Sequence, residues 1–384
     1  MRIVFACASL GHGGAERHSI TLANRLGERG HECHMVYVKD DPSQIERLKG
    51  AAGVHCLRAR RYLDLGALNA LGGLLRRIEP SVVLAANPYP MLYASLALRR
   101  CAVRAALAAT FHATLLLNAK ERLQMLYYRP LFWSADCLVF VCEAQRRHWR
   151  RRMVASRRST RVIHNGVDLA HWQPAGQEES ESVRRRLGYA PGDYVVGMCA
   201  VLRPEKNPLQ LVDAIAALRA RGIPARALFI GDGPMRAAVE ARAAGAGVPD
   251  AVRITGLQQD VRGPLAACDV LVLCSDTEAL SLAALEAMAR ARPVVHTRVG
   301  GAAELIRDGD NGFLYPVGDL PRLVERLAQL AEPGLRSRMG AAARASVAER
   351  FTEQAMVGRY EDLFLELETT RSLREDARRA VGAR

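Results

Sequence analysis

The sequence contains no apolar run of the roughly 18 residues that are needed to cross a bilayer. Its apolar start, Met1 to Ser9, ends at the glycines that follow and is too short for the core of a secretion signal. We therefore expect a buried first strand in a cytoplasmic protein. Hydrophobic residues make up 49% of the chain and charged residues 24%, which excludes a disordered or fibrous protein.

Lysine and aromatic residues are scarce. The chain has four lysines (Lys39, Lys49, Lys120 and Lys206), so nearly all of its 54 basic residues are arginines. These basic residues outnumber 40 acidic ones, and the net charge of +14 attracts anionic partners. A nucleic-acid-binding protein would interleave such charge with stacking aromatics, which form 5% of this chain. We therefore predict no nucleic acid partner.

Cysteine pairs with metal-ligand spacing are absent. Nine cysteines are scattered along the sequence without a Cys-x-x-Cys motif, and most lie in apolar, strand-like runs such as residues 138–142. This pattern predicts reduced, buried thiols rather than a disulfide framework or a metal site.

Short apolar runs alternate with amphipathic stretches along most of the chain. Strands are predicted at about residues 2–8, 33–38, 81–86, 105–111, 137–142, 161–164, 194–200, 226–231, 252–255, 270–274, 293–297 and 312–315. Helices are predicted between them, at about residues 15–29, 67–78, 118–132, 143–152, 208–219, 234–244 and 281–290. This alternation is typical of α/β domains with parallel sheets and helices on both faces.

The alternation breaks once, in a polar stretch that we interpret as a linker. We predict a first Rossmann-like domain over residues 1–168, a linker over 169–193 and a second Rossmann-like domain over 194–351. A final helix is predicted at 352–368, and we expect the arginine-rich tail at 369–384 to fray.

Two motifs have the composition of phosphate-binding loops. Gly13 and Gly14 follow the first strand and open a helix, whose free N–H groups suit a phosphate. A tight strand–helix turn explains these glycines equally well. Arg203 and Lys206 follow the strand at 194–200 and precede a helix start at Asn207, where two cations can clamp a diphosphate. A solvated basic loop is the alternative reading of this second motif.

Two carboxylates stand at the end of the strand at 270–274, where ligands bind in open α/β sheets. Glu278 and Glu286 would lie roughly 12 Å apart if the whole span were helical. Ser281 is a candidate N-cap for the helix, and Glu286 lies in an otherwise apolar stretch, where a buried carboxylate needs a partner. His112 ends the strand at 105–111, although a lone histidine is more often a core or rim residue.

These segments together resemble the retaining glycosyltransferases of family 4, which have the GT-B fold. The resemblance covers nearly the whole chain and rests on the order and spacing of six motifs, namely residues 13–16, 163–168, Arg203 with Lys206, 231–234, Glu278 to Glu286, and Gly300-Gly301-x-x-Glu304. It implies two Rossmann-like, doubly wound domains that face each other across a cleft. The first would bind the acceptor and the second a nucleotide sugar, and the last helix would cross back to the first domain.

The resemblance also implies a role for each candidate residue. Gly13 and Gly14 would lie near the donor diphosphate, which Arg203 and Lys206 would hold as it leaves. Glu278 and His112 would contact the donor sugar, and Glu286 would bind the ribose. The remaining donor-binding positions would be Ala279, Leu280, Ser281 and Leu282, lining the sugar and phosphates, and Gly231 and Leu257, bordering the base.

The resemblance implies no metal and no cofactor beyond the nucleotide sugar. The sequence Asp308-Gly309-Asp310 has the form of a metal motif, but in the family this turn is structural. Two departures, Ala279-Leu280 after Glu278 and Ala291 in place of a glycine, bear on the shape of the sugar pocket.

A basic cluster suggests a membrane-facing surface. It comprises Arg146, Arg147, Arg150, Arg151 and Arg152 with Trp149 among them. Basic residues beside an interfacial aromatic can hold a protein on an anionic leaflet, so we consider peripheral attachment to the inner face of the cytoplasmic membrane. A solvated arginine-rich helix fits the same pattern.

The function expected from the resemblance is sugar transfer from a nucleotide sugar to a glycan or lipid-linked acceptor in cell-envelope polysaccharide or lipopolysaccharide synthesis. A UDP-sugar is the favoured donor and GDP-mannose the alternative. A sugar-nucleotide epimerase or a phosphorylase on the same fold remains an alternative, although a phosphorylase needs a pyridoxal lysine and the chain has four lysines.

Overall fold

The computed structural model describes every residue except 12, 113–127, 129, 154–158 and 383–384, and for residues 151–153 and 374–382 it describes the backbone alone. The chain forms two compact units. Unit 1 comprises Met1–His164 and Gln354–Arg384, and unit 2 comprises Asn165–Glu353. The division at His164 lies four residues before the boundary that we predict at residue 168.

Unit 1 contains a seven-stranded sheet in which every pair of neighbouring strands is parallel. Its strands are β1 (Arg2–Cys7), β2 (Glu32–Tyr37), β3 (Gly53–Cys56), β4 (Val82–Ala86), β5 (Ala106–Phe111), β6 (Cys137–Phe140) and β7 (Ser159–Val162). Their order is β3-β2-β1-β4-β5-β6-β7. In the described part of Met1–His164, its helices include α1 (Gly14–Glu28), α2 (Leu65–Ile78), α3 (Pro88–Cys101) and α4 (Glu143–Met153).

Unit 2 contains a six-stranded parallel sheet of order β10-β9-β8-β11-β12-β13. The strands are β8 (Tyr194–Cys199), β9 (Ala225–Ile230), β10 (Val252–Ile254), β11 (Val270–Leu273), β12 (Val294–Thr297) and β13 (Gly312–Tyr315). The helices are α5 (Gln177–Arg186), α6 (Pro208–Ala220), α7 (Arg236–Gly245), α8 (Arg262–Ala267), α9 (Leu282–Ala289), α10 (Ala302–Leu305), α11 (Leu320–Gln329) and α12 (Pro333–Arg350). All six predicted strands of this half are present.

Both faces of the first sheet are buried, and β1 shows how the sequence achieves this. Ile3 and Phe5 enter one hydrophobic cluster, whereas Val4 and Ala6 enter the cluster on the opposite face. Because successive side chains of a strand point to opposite faces, a strand that is covered on both sides must be apolar throughout. The continuous apolar runs at β1, β4, β5 and β6 are therefore confirmed as buried parallel strands.

Two elements of unit 1 are absent from the sequence-based expectation. β3 has four residues, and its sequence, Gly-Val-His-Cys, gives no clear strand signal. α3 begins with two prolines in its first turn and has few polar residues, so its sequence lacks an amphipathic period. The helix predicted at 118–132 falls largely outside the described residues.

The last helix, α13 (Glu353–Gly382), starts at the end of unit 2 and packs in unit 1. Its buried residues join the cluster of Ile3 and Phe5 and are Met356, Val357, Tyr360, Leu363, Phe364 and Leu367. Their spacing of three and four residues is that of one helical face. The helix does not end at residue 368 as predicted, because it continues to Gly382 through the segment expected to fray.

All nine cysteines are free thiols, as predicted, and six of them are buried. In the described residues no helix is both long enough and apolar enough to cross a membrane.

The packing of α13 gives a test with adjacent residues. Phe364 is fully buried, whereas Leu365 is 46% exposed. We expect Phe364→Ala to lower the free energy of unfolding of unit 1 by about 3–5 kcal/mol, because it leaves a cavity in the core. Leu365→Ala serves as the matched control and should change stability by less than about 0.5 kcal/mol. Urea unfolding followed by circular dichroism measures both, and equal losses would contradict this packing.

Candidate active site

The candidate residues of unit 2 lie in the loops after β8, β9, β10 and β11, at the carboxyl ends of these strands, and on the helix α9 that follows β11. This edge is where ligands bind in open parallel sheets. The loops are joined by backbone hydrogen bonds: Leu202 N–H donates to the Asp232 carbonyl at 2.9 Å, and Asp276 N–H to the Glu205 carbonyl at 2.9 Å. The loops after β8, β9 and β11 therefore form one connected surface.

Arg203 precedes a single turn of 3-10 helix at Pro204–Lys206, and Lys206 is the last residue of that turn. Proline favours the start of such a turn, and Asn207 ends it with a left-handed φ of 46° before α6 begins. The Arg203 side chain is 56% exposed, and its guanidinium lies 3.9 Å from the Glu205 carboxylate. Arg203 is thus a cation at the surface of the loop.

Lys206 forms an ion pair with Glu278. The Lys206 ammonium donates to Oε1 of Glu278, and the two side chains are 25% and 17% exposed. The two motifs that the sequence separates by 72 positions therefore meet directly. Partial burial strengthens such a pair relative to one in water, so each side chain orients the other.

Glu278 and Glu286 do not share a helix. Ser281 caps α9 by accepting a hydrogen bond from Ala284 N–H at 3.2 Å, and the helix starts at Leu282. The N-cap prediction is confirmed. The spacing of about 12 Å assumed a helix from Glu278 to Glu286, and this condition is not met because Glu278 precedes the helix. Glu286 lies on α9 and is 1% exposed.

The segment Ala279–Leu282 is held by residues from distant parts of unit 2. Asn165 donates through its side-chain amide to the Leu280 carbonyl at 3.0 Å, and Gly301 N–H donates to the Ala279 carbonyl at 2.6 Å. Gly300 has a left-handed φ of 51°, and a Cβ there would clash with the Glu278 carbonyl oxygen. The motifs at 163–168 and 300–304 therefore support the loop that carries Glu278.

Gly231 and Leu257 lie together beyond β9 and β10. Gly231 has a φ of 144°, pairs with Gly256 in an isolated bridge, and packs so closely on the Ala200 carbonyl that a side chain would clash. Leu257, next to Gly256, is 56% exposed. This arrangement leaves an open apolar side chain beside a glycine turn, which suits the predicted contact with a base.

His296 is a candidate that the sequence analysis missed. It lies in β12, is 1% exposed, and interacts electrostatically with both Glu278 and Lys206. Burial lowers its pKa to about 4, so the imidazole is neutral at pH 7. The signal in the sequence was a histidine at the carboxyl end of a buried strand.

Gly13, Gly14 and His112 belong to unit 1 and lie at the carboxyl ends of β1 and β5. Gly13 is the N-cap of α1 and Gly14 its first residue, so the predicted strand–glycine–helix arrangement is confirmed. His112 Nε2 lies 2.7 Å from the Thr110 hydroxyl, and His112 N–H donates to the Asn87 side chain at 3.0 Å.

Burial lowers the pKa of His112 to about 4. His18 on α1 packs edge-on against it, with ring centroids 4.9 Å apart, and is 3% exposed. Burial, with a smaller contribution from His112, holds the pKa of His18 well below its ordinary value. Both imidazoles are therefore neutral at pH 7, and helix α1 places His18 beside the predicted site residue.

The predicted membrane-facing cluster on α4 is wrong in its aromatic part. Trp149 is 2% exposed and packs in the core of unit 1, with its ring centroid 6.4 Å from that of Phe111. Arg146 pairs with Glu143 at 2.8 Å, whereas Arg147 and Arg150 are exposed. The side chains of Arg151 and Arg152 lie outside the described residues. The period of the helix points Trp149 inward and Arg147 and Arg150 outward.

The turn at Asp308-Gly309-Asp310 is occupied by internal contacts. Asp308 accepts from Leu314 N–H at 2.9 Å and pairs with Arg326, and Asp310 pairs with Arg307 at 2.7 Å. In the part of the chain that the structure describes, no group of three or more histidine, cysteine or acidic side chains could hold a metal ion.

Comparisons with known proteins agree with this architecture. Residues 12–171 match the family model described as Glycosyltransferase Family 4, and residues 193–333 match the model described as Glycosyl transferases group 1. The N-acetyl-alpha-D-glucosaminyl L-malate synthase of Bacillus anthracis is 25% identical over 92% of this chain and 94% of its own length. The lipopolysaccharide core biosynthesis glycosyltransferase LpsE of Rhizobium meliloti is 29% identical over 91% and 94%, respectively.

The solved structure of Anabaena HepE in complex with UDP has a TM-score of 0.84 to this chain, at 21% identity, over 95% of this chain and 100% of HepE. The two parallel-sheet units are thus those of a GT-B glycosyltransferase. The chain belongs to the group 1 glycosyltransferases of family 4 and is related to enzymes of polysaccharide and lipopolysaccharide synthesis.

The support of the Glu278 loop can be tested at glycine. Gly300→Ala introduces a side chain at positive φ and against the Glu278 carbonyl, whereas Gly318→Ala introduces one at a φ of 75° into open space. Both changes cost backbone strain, but we expect Gly300→Ala to lower the unfolding free energy of unit 2 by at least about 1 kcal/mol more. Equal losses in urea unfolding would contradict the close packing at Gly300.

The buried histidines predict a pH dependence of stability. The pKa values of His18, His112 and His296 lie below the ordinary value of 6.5, so the unfolded chain binds more protons than the folded chain beneath that pH. The contribution of these histidines to the free energy of unfolding is therefore fully present above pH 6.5. It falls as the pH is lowered towards 4, by about 1.4 kcal/mol per pH unit for each histidine.

We expect His296→Gln to reduce the slope of the unfolding free energy against pH by about 1.4 kcal/mol per pH unit, which corresponds to one proton. His171→Gln, at an exposed position, is the control and should leave the slope unchanged. Urea unfolding at a series of pH values gives the slopes. An unchanged slope in His296→Gln would contradict the burial of a neutral imidazole.

Proposed function

We propose that the protein is a cytoplasmic, retaining glycosyltransferase. It transfers a hexosyl group from a nucleotide sugar, with UDP as the favoured nucleotide, to a glycan or lipid-linked acceptor. The setting is the synthesis of cell-envelope polysaccharide or lipopolysaccharide. The observation that carries this proposal is the Lys206–Glu278 ion pair beside Arg203 at the carboxyl edge of the second sheet.

The two cations act on the leaving group. When the bond between the sugar C1 and the phosphate oxygen breaks, negative charge develops on the diphosphate, and fixed cations lower the energy of that state. Arg203 is exposed enough to reach an incoming diphosphate, and Lys206 is already oriented by Glu278. Two positive charges at this position perform the neutralisation without a metal ion.

The N-terminus of α9 adds to this charge. The N–H groups of its first turn are not used within the helix, and they attract phosphate oxygens together with the helix dipole. Ser281 occupies the Ala284 N–H, which leaves Leu282 and Ala283 to face a ligand. The fixed carbonyls of Ala279 and Leu280 keep this backbone in place for the donor.

The carboxylates recognise hydroxyl groups. Glu278 lies between Lys206 and the start of α9 and accepts hydrogen bonds from sugar hydroxyls, while Glu286 accepts from the ribose. Neutral His112 provides a hydrogen-bonding group to the donor sugar, and Gly13 and Gly14 provide free N–H groups at the start of α1.

Retention of configuration requires attack on the face that the diphosphate leaves. In this mechanism a phosphate oxygen of the leaving group accepts the proton of the acceptor hydroxyl, while the new bond to C1 forms on the same face. Arg203 and Lys206 hold that phosphate in position during the step. The mechanism assigns no covalent nucleophile to Glu278, whose carboxylate is engaged by Lys206.

The choice of UDP is supported by a neighbour. HepE has been solved with UDP and with UDP-glucose, and the latter structure has a TM-score of 0.83 to this chain. The name of LpsE, a lipopolysaccharide core biosynthesis glycosyltransferase, supports a lipopolysaccharide setting.

Thermal stabilisation by UDP- and GDP-sugars tests the donor site. A ligand at 100 times its dissociation constant stabilises a protein by about 2.7 kcal/mol. We expect sugars of one nucleotide class to raise the melting temperature of the wild type. The same sugars should leave the melting temperature of Lys206→Ala unchanged. Lys49→Ala, at an exposed lysine of unit 1, is the control and should respond like the wild type.

A protein that no nucleotide sugar stabilises, or a Lys206→Ala variant that binds unchanged, would overturn the proposal. With the donor known, the anomeric configuration of the transferred sugar is read by NMR. An inverted product would exclude the retaining mechanism and leave the diphosphate clamp in place.

A further inference from the structure

A group of aromatic and basic side chains lies outside the residues considered so far, at the carboxyl ends of β2, β3 and β4 in unit 1. We call it the tyrosine patch and define it as Tyr62, Tyr89 and Tyr93 with Lys39 and the exposed arginines Arg58, Arg60 and Arg61. None of these residues has a part in the donor chemistry described above.

The rings form a partly exposed stack. The centroids of Tyr62 and Tyr89 are 4.9 Å apart at a tilt of 39°, and Tyr93 meets Tyr89 edge-on at 5.5 Å. Tyr62 is 50% exposed, whereas Tyr93 is completely buried. The patch therefore presents one aromatic side chain to solvent on a support of two others.

The loop that carries Tyr62 is fixed by hydrogen bonds. The Tyr93 hydroxyl accepts from Asp64 N–H at 2.9 Å and donates to the Tyr62 carbonyl at 3.2 Å. The Asp64 carboxylate accepts from Arg60 N–H at 3.1 Å and from Ala67 N–H at 3.0 Å, where it caps α2. Because the ring is already positioned, little conformational entropy is lost when a ligand stacks on it.

Lys39 brings a positive charge to the rings, and Arg58, Arg60 and Arg61 lie near Tyr62 in the sequence. Lys39 places its ammonium 5.5 Å from the centroid of Tyr89, within the range of a cation–π interaction. The four cations of the patch face two nearby carboxylates: Asp40, 3.7 Å from Arg58, and Asp64, whose oxygens are taken by backbone N–H groups. The patch thus has two positive charges in excess.

The patch adjoins a predicted site residue. Asn87, which accepts from His112 N–H, is separated from Tyr89 by Pro88 alone. Since ligands bind along the carboxyl edge of a parallel sheet, a molecule that reaches His112 has the tyrosine patch beside it in the same unit.

We propose that the tyrosine patch binds an anionic sugar residue of the acceptor. The C–H face of a pyranose stacks on the exposed Tyr62 ring, because the electron-rich face of an aromatic ring attracts polarised C–H groups. A phosphate or carboxylate on that sugar pairs with Lys39 and the arginines of the loop. This inference deepens the proposed function and rests on it, since it names the class of acceptor.

Ligand-observed NMR provides the test, by saturation transfer to small saccharides. The observed probes are glucose 6-phosphate, glucuronate and neutral methyl glucoside, so the phosphate and carboxylate sources are separated. Inorganic phosphate has no carbon-bound protons, and its binding is therefore measured by competition against glucose 6-phosphate. We expect glucose 6-phosphate or glucuronate to bind at least tenfold more tightly than methyl glucoside or phosphate alone. Tyr62→Ala and Lys39→Gln should each weaken that binding at least tenfold.

Two matched controls keep the test specific. Trp133→Ala removes an aromatic side chain of unit 1 that is 52% exposed, and Lys49→Gln removes an exposed lysine. Both should bind the anionic sugars as the wild type does. Stabilisation by UDP should be the same in all four variants, because none of the four changed residues belongs to the proposed donor site.

Several outcomes would overturn the inference. If methyl glucoside bound as tightly as the anionic sugars, charge would have no role in the binding. If inorganic phosphate bound as tightly as glucose 6-phosphate, the patch would be a simple anion site. Binding to phosphatidylglycerol vesicles that is lost in Tyr62→Ala, without saccharide binding, would make it a lipid surface. Stabilisation by UDP without binding of any anionic sugar would refute the inference and leave the proposed function standing.

Discussion

A strand that is buried on both faces has no side chain left for chemistry except at its ends. In β1, alternate residues enter opposite hydrophobic clusters, and in the second sheet β11 is buried throughout and β8 nearly so. The cost of placing a charge in such an interior confines polar groups to the loops. The carboxyl edges therefore hold Arg203, Lys206 and Glu278 in one unit and His112 in the other.

Much of this arrangement could be predicted from the sequence, because the physical causes are local. Continuous apolar runs identify the doubly buried strands, and Ser281 has the chemistry of an N-cap. α3 could not be predicted, since Pro88 and its apolar neighbours disguise the helical period. Trp149 shows the opposite error: a basic flanking sequence suggested an exposed face, but helical periodicity and the core of unit 1 place its ring inside.

The contacts that complete the site depend on residues far apart in the chain. Asn165 reaches the Leu280 carbonyl across 115 positions, and Gly300 must lack a side chain because the Glu278 carbonyl lies against it. A single sequence states neither distance. The resemblance to family 4 identified the segments, but only the fold shows that Asn165, Gly300 and Gly301 hold the loop that carries Glu278.

The depth at which a side chain is buried separates the neutral histidines from the ion pair at the edge of the sheet. His112 and His296 end buried strands, and burial lowers both pKa values to about 4, so neither adds charge at pH 7. Lys206 and Glu278 instead form an ion pair with each other at the partly exposed edge. In the proposed reaction, a diphosphate that leaves from this edge meets the side chains of Arg203 and Lys206, and the buried, neutral imidazole of His296 adds no charge in unit 2. The role that we propose for each residue therefore depends on its position along the strand and on its exposure to solvent. Both are determined by the sequence.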